Sequence, residues 1–133
     1  MRRGRISLII AVTALVLGFA VWAAAANWVL LGTRTVAFVT DQDTIWVGAG
    51  MGMFNAVKLH VVDTGVNFDR LTIVFGNGET VDEPIRAFIP AGGYTRDIQL
   101  PGESRYIKEI IMYYQTQPGS VDRAQVEAWG IRY

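Results

Sequence analysis

The feature that most constrains the fold is a succession of short β-branched and aromatic runs from residue 27 onward, most of them followed by Gly, Pro or Asp. The runs are Trp28–Leu31, Thr35–Thr40, Thr44–Val47, Ala56–Val62, Arg70–Phe75, Glu79–Asp82, Ile85–Ile89, Tyr94–Leu100, Ile110–Thr116 and Ala124–Trp129. Many short strands with regular turn signals are typical of a β-sandwich or barrel. We predict an all-β fold, an antiparallel β-sandwich of jelly-roll type, formed by residues 27–133 as one domain.

Alternation within the runs supports this prediction. In Ala56–Val62, aliphatic side chains fall on one face while Lys58 and His60 fall on the other. Arg70–Phe75 also alternates, and one residue after it comes Asn77-Gly78, which is a strong hairpin signal because both residues tolerate positive φ. We expect the aromatic side chains of Trp28 and Trp129 to lie in the core.

One window has two interpretations, because its apolar residues fit both a helical and a strand period. Helical spacing links Ile107, Ile110, Ile111 and Tyr114. The run is nevertheless rich in residues that favour strands. We predict a strand from Ile110, with a turn or a short helical piece at Ser104–Lys108.

The N-terminus has the layout of an export signal. Three arginines lie within the first five residues, and an uncharged apolar stretch ends in small residues, so we expect a secretory signal peptide at residues 1–26 with cleavage after Ala26. The alternative is an uncleaved membrane anchor helix, because the next charge is Arg34. Both interpretations place the domain outside the cytoplasm, periplasmic or secreted in one case and membrane-anchored in the other.

Composition excludes several classes of activity. The chain has no Cys, which rules out disulfides, thiolate zinc sites and a thiol nucleophile. Its formal net charge of zero argues against nucleic acid as a partner. After residue 26 the single imidazole is His60, and neither Ser104 nor Ser120 lies in a nucleophile elbow. We therefore predict that the domain is not an enzyme and has no catalytic residues.

A glycine-rich segment, Gly48–Gly52, superficially resembles a nucleotide-binding loop. It lacks the required glycine spacing, and no Lys-Ser/Thr pair follows it. We interpret it as a flexible loop between strands, where Met51, Met53 and Phe54 could form an apolar contact surface.

The candidate ligand-binding residues are aromatic and acidic. An exposed ring in such a domain can stack on a sugar, so Trp46, Tyr94 and Tyr113 are candidates for carbohydrate binding. Asp41 and Asp43 form an acidic turn that could contribute to a calcium site, although the third ligand of a calcium loop is missing. No other cofactor is expected.

Acidic pairs leave a hydrolase as a weaker alternative. Hydrolysis of a glycosidic bond needs two carboxyl groups about 5–9.5 Å apart. The candidates are Asp82, Glu83, Glu103 and Glu109, and the sequence gives no distance between any two of them.

The order of the motifs resembles a family of small exported bacterial domains of unknown function. The motifs are Trp28-x-x-Leu31-Gly32, Asp43-x-Ile45-x-Val47-Gly48, Val57-x-Leu59-x-Val61, Val74-Phe75-x-Asn77-Gly78, Ile89-Pro90-Ala91-Gly92-Gly93, Ile98-x-Leu100-Pro101-Gly102, Arg105–Ile110 and Ala124-x-Val126-x-Ala128-Trp129-Gly130. The resemblance implies an envelope location, a jelly-roll sandwich and no assigned catalytic residues. The last two runs are also similar in rhythm to galactose-binding-like jelly rolls, which implies nothing about function by itself.

We therefore predict a non-catalytic module of the cell envelope that acts through its surface. The alternative is a carbohydrate-binding module, with calcium as an optional aid, and the third hypothesis is a hydrolase of envelope polymers. The expected partner is an envelope protein or a glycan, and membrane contact is expected only through an uncleaved N-terminal segment.

Overall fold

A computed structural model describes residues 27–133, which form nine strands and one 3₁₀ turn at Ala49–Met51. The strands are β1 (Trp28–Val36), β2 (Gln42–Trp46), β3 (Met53–Phe54), β4 (Ala56–Val62), β5 (Val66–Phe75), β6 (Thr80–Ile89), β7 (Ile98–Gln99), β8 (Arg105–Tyr114) and β9 (Ala124–Ile131). The predicted signal peptide, with cleavage after Ala26, lies outside the described residues. Within residues 27–133, no helix has the length and hydropathy needed to cross a bilayer.

The strands form two antiparallel sheets, which confirms the predicted sandwich. The first sheet has the order β1-β9-β4-β7, and the second has the order β2-β8-β5-β6, with the short β3 also paired to β8. With β3 set aside, consecutive strands alternate between the two sheets except at the β5–β6 hairpin, and the two strand orders are those of a jelly roll built from two Greek keys. The chain thus places its first and last described strands side by side in the first sheet.

The core lies between the two sheets and is built by alternation. In β4, Val57, Leu59 and Val61 are fully buried while Lys58 and His60 point away from the core, as predicted. The second sheet contributes a matching layer of inward side chains, which includes Phe68, Leu71, Ile73, Phe75, Ile110 and Met112. The two outer faces are therefore left to polar, charged and aromatic side chains.

A β-bulge explains the ambiguous window of the sequence. β8 begins at Arg105, so the prediction of a turn or helical piece at Ser104–Lys108 is wrong. Phe75 pairs with Ile107 and Val74 pairs with Glu109, which leaves Lys108 as an extra residue in β8. The bulge shifts the inward period by one residue, so Ile107 and Ile110 both face the core at a spacing that imitates a helix.

The run Thr35–Thr40 does not continue as a strand, because β1 already ends at Val36. Phe38 has φ of 61°, a left-handed backbone conformation that departs from the extended conformation of a regular strand. Its ring is fully buried and meets the ring of Tyr114 edge-on, with 6.1 Å between the centroids. The burial of this side chain therefore ends the strand.

Two further runs differ from their predicted boundaries. The runs on either side of Pro84 form one strand, β6, because β6 lies at the edge of its sheet, where a proline costs no ladder hydrogen bond. Arg86 has φ of 48° at the irregularity opposite Asp69, which absorbs one extra residue. In Tyr94–Leu100, only Ile98 and Gln99 form a strand, and Tyr94 makes an isolated bridge to His60.

Candidate functional site

The most chemically organised surface is the outer face of the first sheet. β4 and β9 pair so that Lys58 lies opposite Trp129 and His60 lies opposite Glu127. Because Leu59 and Ala128 between them point into the core, these four side chains all point outward. Two strands far apart in sequence thus place two charges, an imidazole and an indole in one small area.

Two more aromatic side chains complete this area. Trp28 starts β1 on the other side of β9, and Tyr94 reaches β4 from the loop that follows β6. The loop is fixed by backbone hydrogen bonds in both directions between Val61 and the Gly92-Gly93 turn, at 2.7 and 3.0 Å. We call the set the aromatic cluster; it consists of Trp28, Lys58, His60, Tyr94, Glu127 and Trp129.

The side chains of Lys58 and His60 contact the aromatic rings of the cluster. The Nζ atom of Lys58 lies 4.0 Å from the centroid of the Trp28 ring and 4.5 Å from that of Tyr94. The imidazole of His60 stacks on the Tyr94 ring, with 4.3 Å between the centroids and 18° between the planes. These cation–π and stacking contacts hold the rings in fixed orientations while Tyr94 stays half exposed.

Glu127 connects the remaining members. Its Oε1 atom lies 2.8 Å from Nδ1 of His60 and accepts a hydrogen bond from Nε1 of Trp129 at 3.2 Å. An ionised carboxylate can only accept, so His60 donates through Nδ1–H, which leaves Nε2 of His60 directed away from Glu127. The carboxylate therefore positions both rings from the middle of the face.

The chemical groups of the aromatic cluster are one carboxylate, one ammonium group, one imidazole and three aromatic rings. The cluster has a single carboxylate, and it has no Ser, Thr or Cys beside the imidazole to act as a nucleophile. Across the described part of the chain there is no group of three or more His, Cys, Asp or Glu side chains that could hold a metal ion. What the face offers is aromatic surface bordered by hydrogen-bonding groups.

The structure separates the three aromatic residues predicted for ligand binding. Tyr94 belongs to the aromatic cluster, but Trp46 and Tyr113 lie on the outer face of the second sheet. Trp46 is 64% exposed and pairs with Glu109, whereas the Tyr113 ring is covered by the guanidinium of Arg70 at 3.6 Å. The three rings therefore do not form one platform.

The two predicted calcium ligands, Asp41 and Asp43, have different surroundings. The Asp43 carboxylate is held by Arg34 at 3.0 Å and accepts a hydrogen bond of 2.6 Å from the Tyr114 hydroxyl. Asp41 has an exposed side chain, and its backbone oxygen accepts from the Tyr114 N–H. A carboxylate already paired with a guanidinium is a poor start for a cation site, and Asp43 instead joins β1 to β2 and β8.

The environment of Asp43 changes the acidity of its tyrosine partner. Burial, and after it the hydrogen bond to the negatively charged Asp43, together raise the pKa of Tyr114 to about 12. The phenol therefore remains protonated and continues to donate to Asp43 over the whole neutral range.

The acidic residues considered for hydrolysis do not converge either. Glu83 pairs with Arg96 at 3.4 Å at the edge of the second sheet, and Asp82 accepts from Thr72. Glu109 lies across from Trp46 in the middle of that sheet, and Glu103 lies in the loop before β8. Asp82 and Glu109 both face outward on the second sheet, but β5 lies between their strands, and Glu83 and Glu103 lie elsewhere.

Sequence reasoning missed five of the six cluster members as site residues. Alternation in β4 did indicate that Lys58 and His60 point outward. Trp28 and Trp129 were expected in the core, but they are only partly buried on the outer face, because Ala124, Val126 and Ala128 supply the inward side of β9. The pairing of β4 with β9 is what gathers the residues, and no local signal in the sequence encodes it.

The comparison with known families decides the classification. A family described as Domain of unknown function (DUF2541) matches residues 9–130. The chain belongs to the DUF2541 family. This confirms the predicted resemblance to a domain of unknown function, and no curated protein sequence is detectably similar to this DUF2541 chain.

Solved structures place the DUF2541 domain among all-β folds. It is similar to AlgX of Pseudomonas aeruginosa, with a TM-score of 0.50 and 13% identity over 79% of this chain and 27% of that chain. The domain thus spans about a quarter of the length of AlgX. The SPBc2 prophage-derived protein YomS has a TM-score of 0.43 with 8% identity, covering 79% of this chain and 91% of that one. Chitosan-binding module 1 from the chitosanase/glucanase of Paenibacillus sp. IK-5 has a TM-score of 0.39 with 22% identity. The match covers 74% of this chain and 75% of that one.

Proposed function

We propose that this DUF2541 domain is a non-catalytic binding module that binds carbohydrate on the aromatic cluster. The observation that carries the proposal is the convergence of Trp28, Tyr94 and Trp129 with Lys58, His60 and Glu127 on one outer sheet face. Ligand sites commonly combine aromatic surface with a few fixed polar groups, and this face has both.

The chemistry of a sugar matches this combination. The C–H face of a pyranose is apolar and stacks on an aromatic ring, while its hydroxyl groups both donate and accept hydrogen bonds. Half-exposed Tyr94 supports the stacking, Lys58 supplies a donor, and the open side of His60 supplies a second polar group. Because these side chains are already held in place, little conformational entropy is lost when a sugar binds.

The absence of a second carboxylate in the cluster favours binding over hydrolysis. A glycosidase needs an acid and a nucleophile or base within about 5–9.5 Å of each other, and Glu127 has no such partner in the cluster. The proposal also needs no metal, since Lys58, His60 and Glu127 already provide the polar contacts.

We propose further that the domain works outside the cytoplasm, on a glycan of the cell envelope. This part rests on the sequence of residues 1–26, with its three arginines, apolar stretch and small residues before Asn27. An exported module with a carbohydrate-binding face would attach to envelope polysaccharide or to the sugar portion of an envelope protein.

Tryptophan fluorescence tests the proposal directly, because two indoles belong to the cluster. The protein is titrated with a panel of soluble oligosaccharides, and Tyr94→Ala is compared with the matched control Tyr113→Ala on the other sheet. We expect one sugar class to change the emission, with a Kd at least tenfold weaker in Tyr94→Ala and unchanged in Tyr113→Ala. Equal weakening in both variants, or no response to any sugar by fluorescence and calorimetry, would contradict the proposal.

A further inference from the structure

A second concave site lies at one end of the sandwich, away from the aromatic cluster. It is a cavity of about 440 Å³ where the loop after β2, the turn between β5 and β6 and the start of β8 meet. This volume is in the range of pockets that hold small organic molecules, which is about 300–1,000 Å³. Sites built from loops on a rigid sheet are common places for binding.

The gap between β2 and β3 opens this cavity. β2 follows β8 as far as Trp46, the glycine-rich segment then turns away in a 3₁₀ turn, and β3 returns to pair Met53 with Tyr106. The strand layer is therefore interrupted beside the bulge at Lys108. Gly52 and Gly76 are among the residues that line the cavity beside this interruption.

The cavity wall is largely apolar. Val47, Phe75 and Ile107 form its buried floor, and the partly exposed side chains of Met53 and Tyr106 form its sides. Met53 is 38% exposed and Tyr106 is 54% exposed, so both apolar surfaces are open to water. Met51 packs on the core and Phe54 is fully buried, so of the three residues predicted as an apolar contact surface only Met53 serves the cavity.

The two cationic side chains that line the cavity, Arg105 and Lys108, differ in their ion pairing. Arg105 is compensated, because its Nη2 lies 2.6 Å from Glu79 and its guanidinium covers the Phe75 ring at 3.9 Å. Hydrogen bonds from Asn77 and Arg105 lower the pKa of Glu79, which keeps that partner ionised. Lys108 is exposed, and within residues 27–133 no carboxylate lies at ion-pair distance from it. The lining therefore carries one uncompensated positive charge.

We propose that this cavity binds a small amphipathic monoanion, a medium-chain carboxylate, with its apolar chain between Met53 and Tyr106 and its carboxylate on Lys108. The apolar wall accommodates the chain, and the charge of Lys108 complements a single negative head group. The site is independent of carbohydrate binding, since it lies on different strands.

Calorimetric titration with octanoate tests the assignment, with octan-1-ol as the uncharged probe of the same chain. We expect one octanoate to bind per protein, with octan-1-ol binding about fivefold more weakly. Lys108→Gln should lower the octanoate affinity by about fivefold, as expected for an exposed ion pair, and leave the affinity for octan-1-ol unchanged. Met53→Glu places a negative charge in the wall and should weaken octanoate binding by at least tenfold.

Other results of these titrations would overturn the proposal or assign octanoate binding to another surface. No binding of octanoate, equal affinity for octan-1-ol, or unchanged affinity in Met53→Glu would each overturn the proposal. If Met53→Glu fails to fold, the exposed Lys108→Gln variant carries the decision. Tyr94→Ala should bind octanoate normally, and a loss in that variant would assign the binding to the aromatic cluster instead.

Discussion

The two outer faces of the sandwich carry similar residue types but different structures. On the first sheet, contacts through Lys58, His60 and Glu127 join the rings of Trp28, Tyr94 and Trp129 into one connected set. On the second sheet, Trp46 pairs with Glu109 of β8, and Tyr113 lies four positions further along β8. The rings of Trp46 and Tyr113 are therefore well separated along the strands.

This difference shows that exposure alone does not identify a binding face. Trp46 is the more exposed side chain, yet among residues 27–133 its ring has no aromatic partner, and single exposed apolar residues are ordinary on protein surfaces. Tyr94 is less exposed, but it touches a lysine and a histidine that are themselves fixed. The connected face is therefore the better candidate for function.

Gly130→Ala should have the largest effect, because it disturbs the strand that carries Glu127 and Trp129. A Cβ atom at residue 130 would lie 2.7 Å from Cδ1 of Phe54 and 3.1 Å from Cδ1 of Leu31. Overpacking of this kind typically costs about 1–3 kcal/mol. We expect the free energy of unfolding, measured in urea, to fall by about that amount.

Gly48→Ala is the matched control for this substitution. A Cβ there meets no atom within 4 Å, and Gly48 has φ of −66°, which any residue adopts. We expect a change within about 0.5 kcal/mol. If both variants were equally stable, close packing behind β9 would not be what supports the first face.

Tyr114→Phe tests the connection between the sheets. Asp43 in β2 accepts from Tyr114 in β8 and pairs with Arg34 in β1, so removal of the hydroxyl should cost about 1–2 kcal/mol at neutral pH. Because the pKa of Tyr114 is raised from 10.0 to about 12, its contribution is complete below pH 10 and is lost as the pH rises through 12.

The measurement is urea unfolding of parent and variant at pH 9 and pH 11. Between these pH values the parent should lose more of its free energy of unfolding than Tyr114→Phe. The difference in stability between parent and variant should therefore be smaller at pH 11 than at pH 9. Parallel curves would show that the ionisation of Tyr114 does not contribute to the alkaline loss of stability.

Much of the fold follows from local patterns. Alternation fixed which side chains of β4 face the core, and the Asn-Gly pair marked the β5–β6 hairpin. The failures occur where tertiary contacts override the local pattern. Buried Phe38 ends β1 early, and the bulge at Lys108 makes a strand look helical.

The candidate site was far less predictable than the fold. Tyr94 was identified as a candidate exposed ring, but its partners come from β1, β4 and β9, which are remote in sequence. Only strand pairing brings His60 opposite Glu127, and pairing between distant strands has no signature in either strand alone.

Glu127→Gln should have an intermediate effect, confined to the first face. The substitution removes the charge that accepts from His60 and Trp129, which should lower the free energy of unfolding by about 1 kcal/mol and change the emission of Trp129. Glu109→Gln is the control, because Glu109 lies beside Trp46 on the second face. Equal losses in the two variants would mean that Glu127 does not organise its neighbours.

Trp46→Ala should have the smallest effect on stability, about 0.5 kcal/mol or less, because most of its ring already contacts water. Trp129→Ala should cost more, because that ring is partly buried and donates to Glu127. Thermal and urea unfolding of the two variants compare the two faces directly. Should Trp46→Ala destabilise the domain as much as Trp129→Ala, the second face would have a structural role of its own, and connectivity between rings would no longer distinguish the two faces.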